Sequence, residues 1–381
     1  MKKGYQPIVF ASSATRQSGI QVISGKEKFL VDETYGFPFV FVKTPQYKNM
    51  KERLLAIFLF HKRLTRIVKN FPSPNVIVGS SAYPLSPYLG IRFGKKLGSK
   101  TICEVRDLWP LSLEEYGIIP KGGFISKAMY RLERYLYEHS DDIVFTFPGG
   151  KQYICDKKLD YASGGKVDLA RVHYINNGVN LALFNRNALT NEYCNPAYIQ
   201  AGGKKVVYTG SIRRANNLDF LIDVFSHLTD MNTNLFLFGR GEYEEHLRQI
   251  CQKRNLNNIH FLGWVDKKYI PSILSKADLL VDFGETENEL MKYGASHNKF
   301  FDYLASGKPV VSNHRMSFSL INKYQCGIEK AFESSLDCAK AISSILEDDD
   351  IRTMWGSNAL TTSKKFDFNN LVEKLAEIIE H

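Results

Sequence analysis

The sequence predicts a doubly wound α/β fold in two domains. Three observations carry this. Short segments that are apolar throughout alternate with helix-like segments, the pattern of parallel strands covered on both faces. Two such series are separated by an irregular stretch, NNGVNLALFNRNALTNEYCNPAYIQAGG (176–203). And 381 residues are enough for two domains with sizeable cores.

The elements follow in order. VFASS near the N-terminus reads as a strand rather than a secretory signal. NVIVGSS (75–81) is a strand ending in small residues, and PYLGIRFGKKLG after it suits a helix. KTICEVRD (100–107) is a strand, ISKAMYRLERYLYEHS (125–140) a helix, and DDIVFTF (141–147) a strand. In the second series, KKVVYTGS (204–211) precedes the helix NLDFLIDVFSHL (217–228). NLFLFGRG (234–241) precedes YEEHLRQICQKR (243–254), and NIHFLGWV (258–265) precedes YIPSILSKA (269–277). DLLVDFG (278–284) and KPVVSN (308–313) close the series. In open α/β sheets, ligands sit beyond the carboxyl ends of the strands. The informative residues should therefore lie just after each strand.

Composition is that of an ordinary globular protein, with 44% hydrophobic and 24% charged residues. No apolar run reaches the roughly eighteen residues of a membrane span. The six cysteines form no CxxC and no zinc spacing with histidine, so buried reduced thiols are expected. Charge is uneven. Residues 1–200 hold 28 Lys and Arg against 16 Asp and Glu; residues 201–381 hold 22 against 24. A basic half points to an anionic partner. No zinc finger, RNP motif or helix-turn-helix signal supports nucleic acid, so an anionic membrane face is the better candidate. The stretch 49–71 joins an apolar LLAIFLF to a basic segment. It is either a core helix with a basic exposed face or an interfacial helix.

Several loops after strands suit phosphate. In GSIRRANN (210–217), Gly210 and Ser211 let the backbone approach a ligand, and Arg213 and Arg214 can neutralise charge. The plainer reading is a turn with exposed arginines. In GRGEYEE (239–245), Gly239 and Gly241 match the start of GxGxxG, but Glu244 stands where the third glycine belongs. Arg106 and Asp107 end a strand before a Trp-Pro turn and should face a cleft, or else cap their loop. In YGASHNKFFDYLASGKPVVSN (293–313), Gly294, Ala295 and Ser296 can expose backbone amides at a helix start. There Lys299 adds a positive charge, and Asp302, one turn on, can accept from a ribose diol. His297 and Asn298 complete that candidate site, which suits a nucleoside diphosphate. The Asp-rich run at 348–350 reads as a helix cap rather than a metal motif. No HExxH and no GxSxG occurs, and no metal site is expected.

EVRDLWP (104–110), INNGVN (175–180), YTGSIRRANN (208–217), FLFGRGEYEE (236–245), FLGWVDKKYIPSILSKADL (261–279) and the 293–313 segment together resemble glycosyltransferase family 4. The likeness is to the bacterial capsule, exopolysaccharide and O-antigen type. It implies the GT-B fold, two Rossmann-like domains facing across a cleft. It also implies retaining transfer from a nucleotide-diphosphate sugar, UDP-linked by default, with no metal. The acceptor implied is a lipid-linked saccharide at the cytoplasmic face of the membrane, bound peripherally. By the same resemblance, 210–214 and Lys299 would meet the diphosphate. Gly239, Trp264 and Val265 would border the base, Asp302 would hold the ribose, and Arg106 and Asp107 would face the reaction centre.

The sequence departs from the family at several positions. Asp302 stands for a glutamate, Gly294 for the first of the paired glutamates, and Asn217 for a lysine. The opening KKGYQPIVFASS matches a segment that family members reach only after a first strand and Gly-rich turn, so an N-terminally incomplete acceptor domain is expected. The expected division is an acceptor domain over 1–185 and a donor domain over 186–365. The C-terminal helix 366–381 is a candidate to pack back on the first. Two alternatives stay open: an inactive nucleotide-sugar-binding protein, and a GT-B enzyme of another kind such as a nucleotide-sugar epimerase.

Overall fold

The computed structural model describes residues 3–14, 21–47, 49–285 and 288–381. The chain folds into two compact units. One comprises residues 1–107 and 131–143, the other 108–130 and 144–381.

In the first unit, β1 (Val9–Ser12) pairs in parallel with β3 (Phe39–Val42), and β2 (Phe29–Asp32) pairs antiparallel with β3. Val40 and Val42 point inward onto Phe60 and Ile67 of the helix Met50–Ile67. That helix is capped by Asn49, whose side chain accepts from the Glu52 amide. β4 (Val76–Ser80) pairs in parallel with β5 (Lys100–Val105). Gly79 is required there, because a Cβ would lie 2.4 Å from the Pro87 backbone of the next helix. At the start of β6 (Asp142–Phe145), Asp141 ties back to β5, accepting from both the amide and the hydroxyl of Thr101.

The second unit holds β7 (Val172–Tyr174) and a six-stranded parallel sheet. The sheet strands are β8 (Lys204–Thr209), β9 (Thr233–Phe238), β10 (Ile259–Gly263), β11 (Leu279–Asp282), β12 (Val310–Ser312) and β13 (Gly327–Glu329). Their order is β10-β9-β8-β11-β12-β13. Alternate residues feed two cores. Val206, Tyr208, Leu235, Leu237, Leu279 and Val281 face one side, with helices 218–226, 244–253 and 335–347. Val207, Phe236, Phe238, Leu280 and Val310 face the other, with helices 270–275 and 298–306. Strands apolar on both faces are what such covering demands.

The chain runs outward through β8, β9 and β10, then returns to place β11 on the other side of β8. The topological switch point therefore lies between β8 and β11, where ligands bind in open α/β sheets.

Three expectations change. The stretch 176–203 is not irregular: it holds a helix at Leu181–Thr190, capped by the Asn180 side chain, and a turn of helix at Pro196–Ile199. The strand series does not close at 313, since β13 and two long helices, Ser335–Glu347 and Asp349–Ser363, follow. And the cysteines are not all buried: Cys155 is half-buried and Cys194 exposed. The cap reading at 348–350 holds, with the Asp348 carboxylate accepting from the Ile351 amide.

Candidate donor site at the switch point

Two loops leave the sheet at β8 and β9 and are zipped together by backbone bonds. The Gly210 amide donates to Phe238 O and the Ile212 amide to Arg240 O. Glycine is forced at two of these positions. A Cβ on Gly239 (φ +156°) would sit 1.6 Å from Gly210 O, and one on Gly241 would sit 1.9 Å from Ile212 O. The Gly-x-Gly pattern at 239–241 thus serves close backbone packing. Beyond Gly210, Tyr208 anchors the loop: its hydroxyl donates to Ser211 O at 2.8 Å and accepts from Asn216 Nδ2 at 2.6 Å. Arg213 and Arg214 stand exposed on this loop, and neither is ion-paired among the described residues.

Asp282 ends β11 and is buried. Its Oδ1 lies 2.8 Å from Lys299 Nζ and its Oδ2 2.7 Å from His297 Nδ1; His314 Nε2 lies 3.8 Å from Oδ1. Lys299 Nζ also sits 4.1 Å above the Tyr208 ring, a cation–π contact that joins this cluster to the 210–216 loop. Burial by itself would raise the Asp282 pKa. Lys299, then His297 and His314, outweigh it and hold the carboxyl well below its ordinary value. Burial would likewise lower Lys299, and the facing Asp282 carboxylate outweighs it and raises the ammonium. The lysine is therefore held in its charged form by its ion pair with Asp282.

Asp282, His297 and His314 could hold a metal by type, their ligand atoms lying within 4.8 Å of one another. Lys299 already stands as the cation at this carboxylate. A divalent ion would have to displace it, so the donor set fits a metal poorly.

The helix Asn298–Ser306 begins here. His297 is its N-cap residue, but its side chain makes no capping bond, because the ring is turned to Asp282. The first-turn amides are left without a side-chain acceptor, and helix N-termini in that condition attract anions. Ser296 is fixed from the side, its Oγ accepting from the Asn177 amide and its carbonyl from Asn177 Nδ2. Asn298 is exposed. Asp302 is buried one turn into the helix, with Lys267 Nζ 3.6 Å from its Oδ2. Burial raises its carboxyl pKa and Lys267 opposes that. Past β10, Trp264 is 62% exposed beneath the Arg240 guanidinium, and Val265 packs at the edge of the core.

The structure thus brings Gly210, Ser211, His297 and Lys299 into one cluster through Tyr208. Asp302 meets Lys267, which comes from the segment after β10 that also carries Trp264 and Val265. Arg106 and Asp107 lie in the other unit. The Arg106 amide donates to Ser81 Oγ, and desolvation raises the Asp107 carboxyl against the pull of Arg106 and Arg53. Asp282, Tyr208 and His314 were not singled out from sequence. A carboxylate closing an otherwise apolar strand, as in LLVD, was the available signal.

Residues 195–362 match the family model described as glycosyl transferases group 1. Among solved structures, sucrose-phosphate synthase from Thermosynechococcus elongatus is similar, with a TM-score of 0.72, 15% identity, and coverage of 100% of this chain and 89% of that one. Anabaena HepE in complex with UDP is similar at TM-score 0.65 and 15% identity, covering 89% and 86%. WaaG, a glycosyltransferase involved in lipopolysaccharide biosynthesis, is similar at TM-score 0.61 and 16% identity, covering 89% and 86%. No curated protein matches the chain in sequence. The fold is GT-B, as the resemblance implies. Fold and matched domain together define a glycosyltransferase of GT-B type.

Proposed function

We propose that the chain is a retaining transferase that moves a sugar from a UDP-sugar to a lipid-linked saccharide in bacterial surface-polysaccharide synthesis. The observation that carries this reading is the charge-locked Lys299 at the β8/β11 switch point, beside an uncapped helix N-terminus. A diphosphate there would meet the ammonium, the first-turn amides of residues 298 and 299, and Arg213 and Arg214. These groups would offset the charge that develops on the leaving diphosphate, and such electrostatic stabilisation is often the largest catalytic contribution. Asp302 would hold the ribose, with Trp264 and Val265 near the base.

UDP is favoured as the nucleotide because Anabaena HepE, of the same fold, is solved with UDP and with UDP-glucose. Metal independence is supported by Lys299 standing where a cation would sit. Activity should then survive EDTA. Arg106 and Asp107 are assigned to the acceptor, with Asp107 orienting the attacking hydroxyl. The division into an acceptor domain over 1–185 and a donor domain over 186–365 belongs to this reading.

Peripheral membrane binding at the cytoplasmic face is supported by the helix Met50–Ile67. Its exposed face carries Leu54, Leu55 and Phe58 beside Lys51, Lys62 and Arg66. Apolar side chains at 53–59% exposure next to basic ones suit an anionic lipid surface. No helix among the described residues is long and apolar enough to cross a membrane.

Thermal unfolding with UDP, GDP, ADP and CMP tests the donor assignment. At one hundred times its dissociation constant, the true nucleotide should stabilise by about 2.7 kcal/mol. UDP alone should do so. No shift with any nucleotide would overturn the donor site.

A further inference from the structure

Away from the switch point, the second unit contains a cavity of about 640 Å³. This is the size of small-molecule sites. Its walls come from the end of β7, the segment 317–324 and the start of the C-terminal helix. The cluster around Asp282 contributes nothing to its lining. Three lysines line it, Lys323, Lys365 and Lys374, with no acidic residue among the lining side chains. None of the three is ion-paired among the described residues. Lys365 and Lys323 instead lie over the Tyr324 ring at 4.7 and 5.4 Å. Tyr324 packs edge-on against Phe366, so the cavity presents aromatic surface beside its cations.

The polar side chains at its base point to a ligand as well. Asn176 is buried at 6% exposure, and its Nδ2 has no hydrogen-bond partner. The buried hydroxyl of Tyr174 has none either. Burying such groups unpaired is unfavourable, and unexplained orphans in one cavity call for an occupant.

We propose that this cavity binds a phosphate-bearing sugar. The lysines would take the phosphate as point charges. Asn176 and Tyr174 would take sugar hydroxyls, and Tyr324 would face the ring. The site differs from the nucleotide site and stands whether or not the chain uses UDP. It has a route to that site all the same: Asn176 is followed by Asn177, which holds Ser296 through two hydrogen bonds.

Isothermal titration of the full chain held in saturating UDP tests it. The probes are glucose 6-phosphate, glucose, inorganic phosphate and an alkyl glycosyl phosphate in detergent micelles. A phosphosugar should bind at least tenfold more tightly than glucose or phosphate alone. Lys323→Gln with Lys365→Gln should weaken it at least tenfold and leave UDP affinity unchanged; Tyr324→Leu should weaken it with phosphate affinity unaltered. Preference for the micellar ligand would assign the site to a lipid-linked saccharide, and preference for the free one to a soluble sugar phosphate. No binding, displacement by UDP, equal affinity for bare phosphate, or full retention in the double variant would each overturn the proposal. The UDP titration is read separately, so failure of this site and failure of the donor site are told apart.

Discussion

Asp282 and Lys299 depend on each other. Asp282 is buried and Lys299 largely so, and the partners lie 2.8 Å apart. Removing one leaves the other uncompensated, which costs about 3–5 kcal/mol. Lys299→Ala should therefore unfold at markedly lower urea than wild type, besides losing UDP binding. Asp282 also sets an acid limit. Its folded pKa lies well below the unfolded one, so its contribution is complete above the ordinary carboxylate value near pH 4. It falls away as pH drops toward the folded value. Urea unfolding between pH 5 and 2 should show this loss in wild type, and Asp282→Asn should flatten it; equal slopes would refute the pairing. Asp302 is assigned to the ribose. Hydrogen bonds to a charged group contribute about 1.5–3 kcal/mol, so Asp302→Ala should weaken UDP by roughly ten- to a hundredfold in titration.

At the scale of elements, the sheet and its helices were largely legible. Eight strands of the alternating series were readable because each is an apolar run bounded by turn residues. β13 was not, because Gly327–Glu329 holds a single apolar side chain and makes no apolar run. The helix Leu181–Thr190 was hidden by its asparagines, which read as loop although Asn180 is its cap. The paired loops after β8 and β9 are rigid for a backbone reason. Gly239→Ala would put a methyl group into Gly210 O at a positive φ. It should cost at least about 2 kcal/mol and lower the thermal midpoint, whereas Gly202→Ala, with open space around it, should change little.

For the whole molecule, the two compact units should respond differently to nucleotide. Amides that follow β8, β9 and β11 should gain hydrogen-exchange protection on adding UDP, while those of β1 to β3 should not. Protection spread evenly over both units would contradict a donor site confined to the second. The exposed Leu54, Leu55 and Phe58 make a separate claim. Wild type should float with phosphatidylglycerol vesicles, and Leu54→Ser with Phe58→Ser should abolish flotation without altering the UDP-induced thermal shift.

The sequence by itself determined the fold class, the alternation of strands and helices, and the placing of ligand chemistry after strands. Those follow from hydrophobic periodicity and chain-local turn chemistry, which adjacent residues encode. It also singled out Lys299 and His297. Only the tertiary structure decided what those side chains do. Asp282 lies seventeen positions before Lys299, and His314 another fifteen beyond it; they meet because β11 and β12 are neighbours in the sheet and the first turn of the helix 298–306 lies beside the end of β11. The switch point itself is a matter of strand order, which no local pattern encodes. The same holds for the lysine-lined cavity, whose walls are drawn from segments nearly two hundred residues apart.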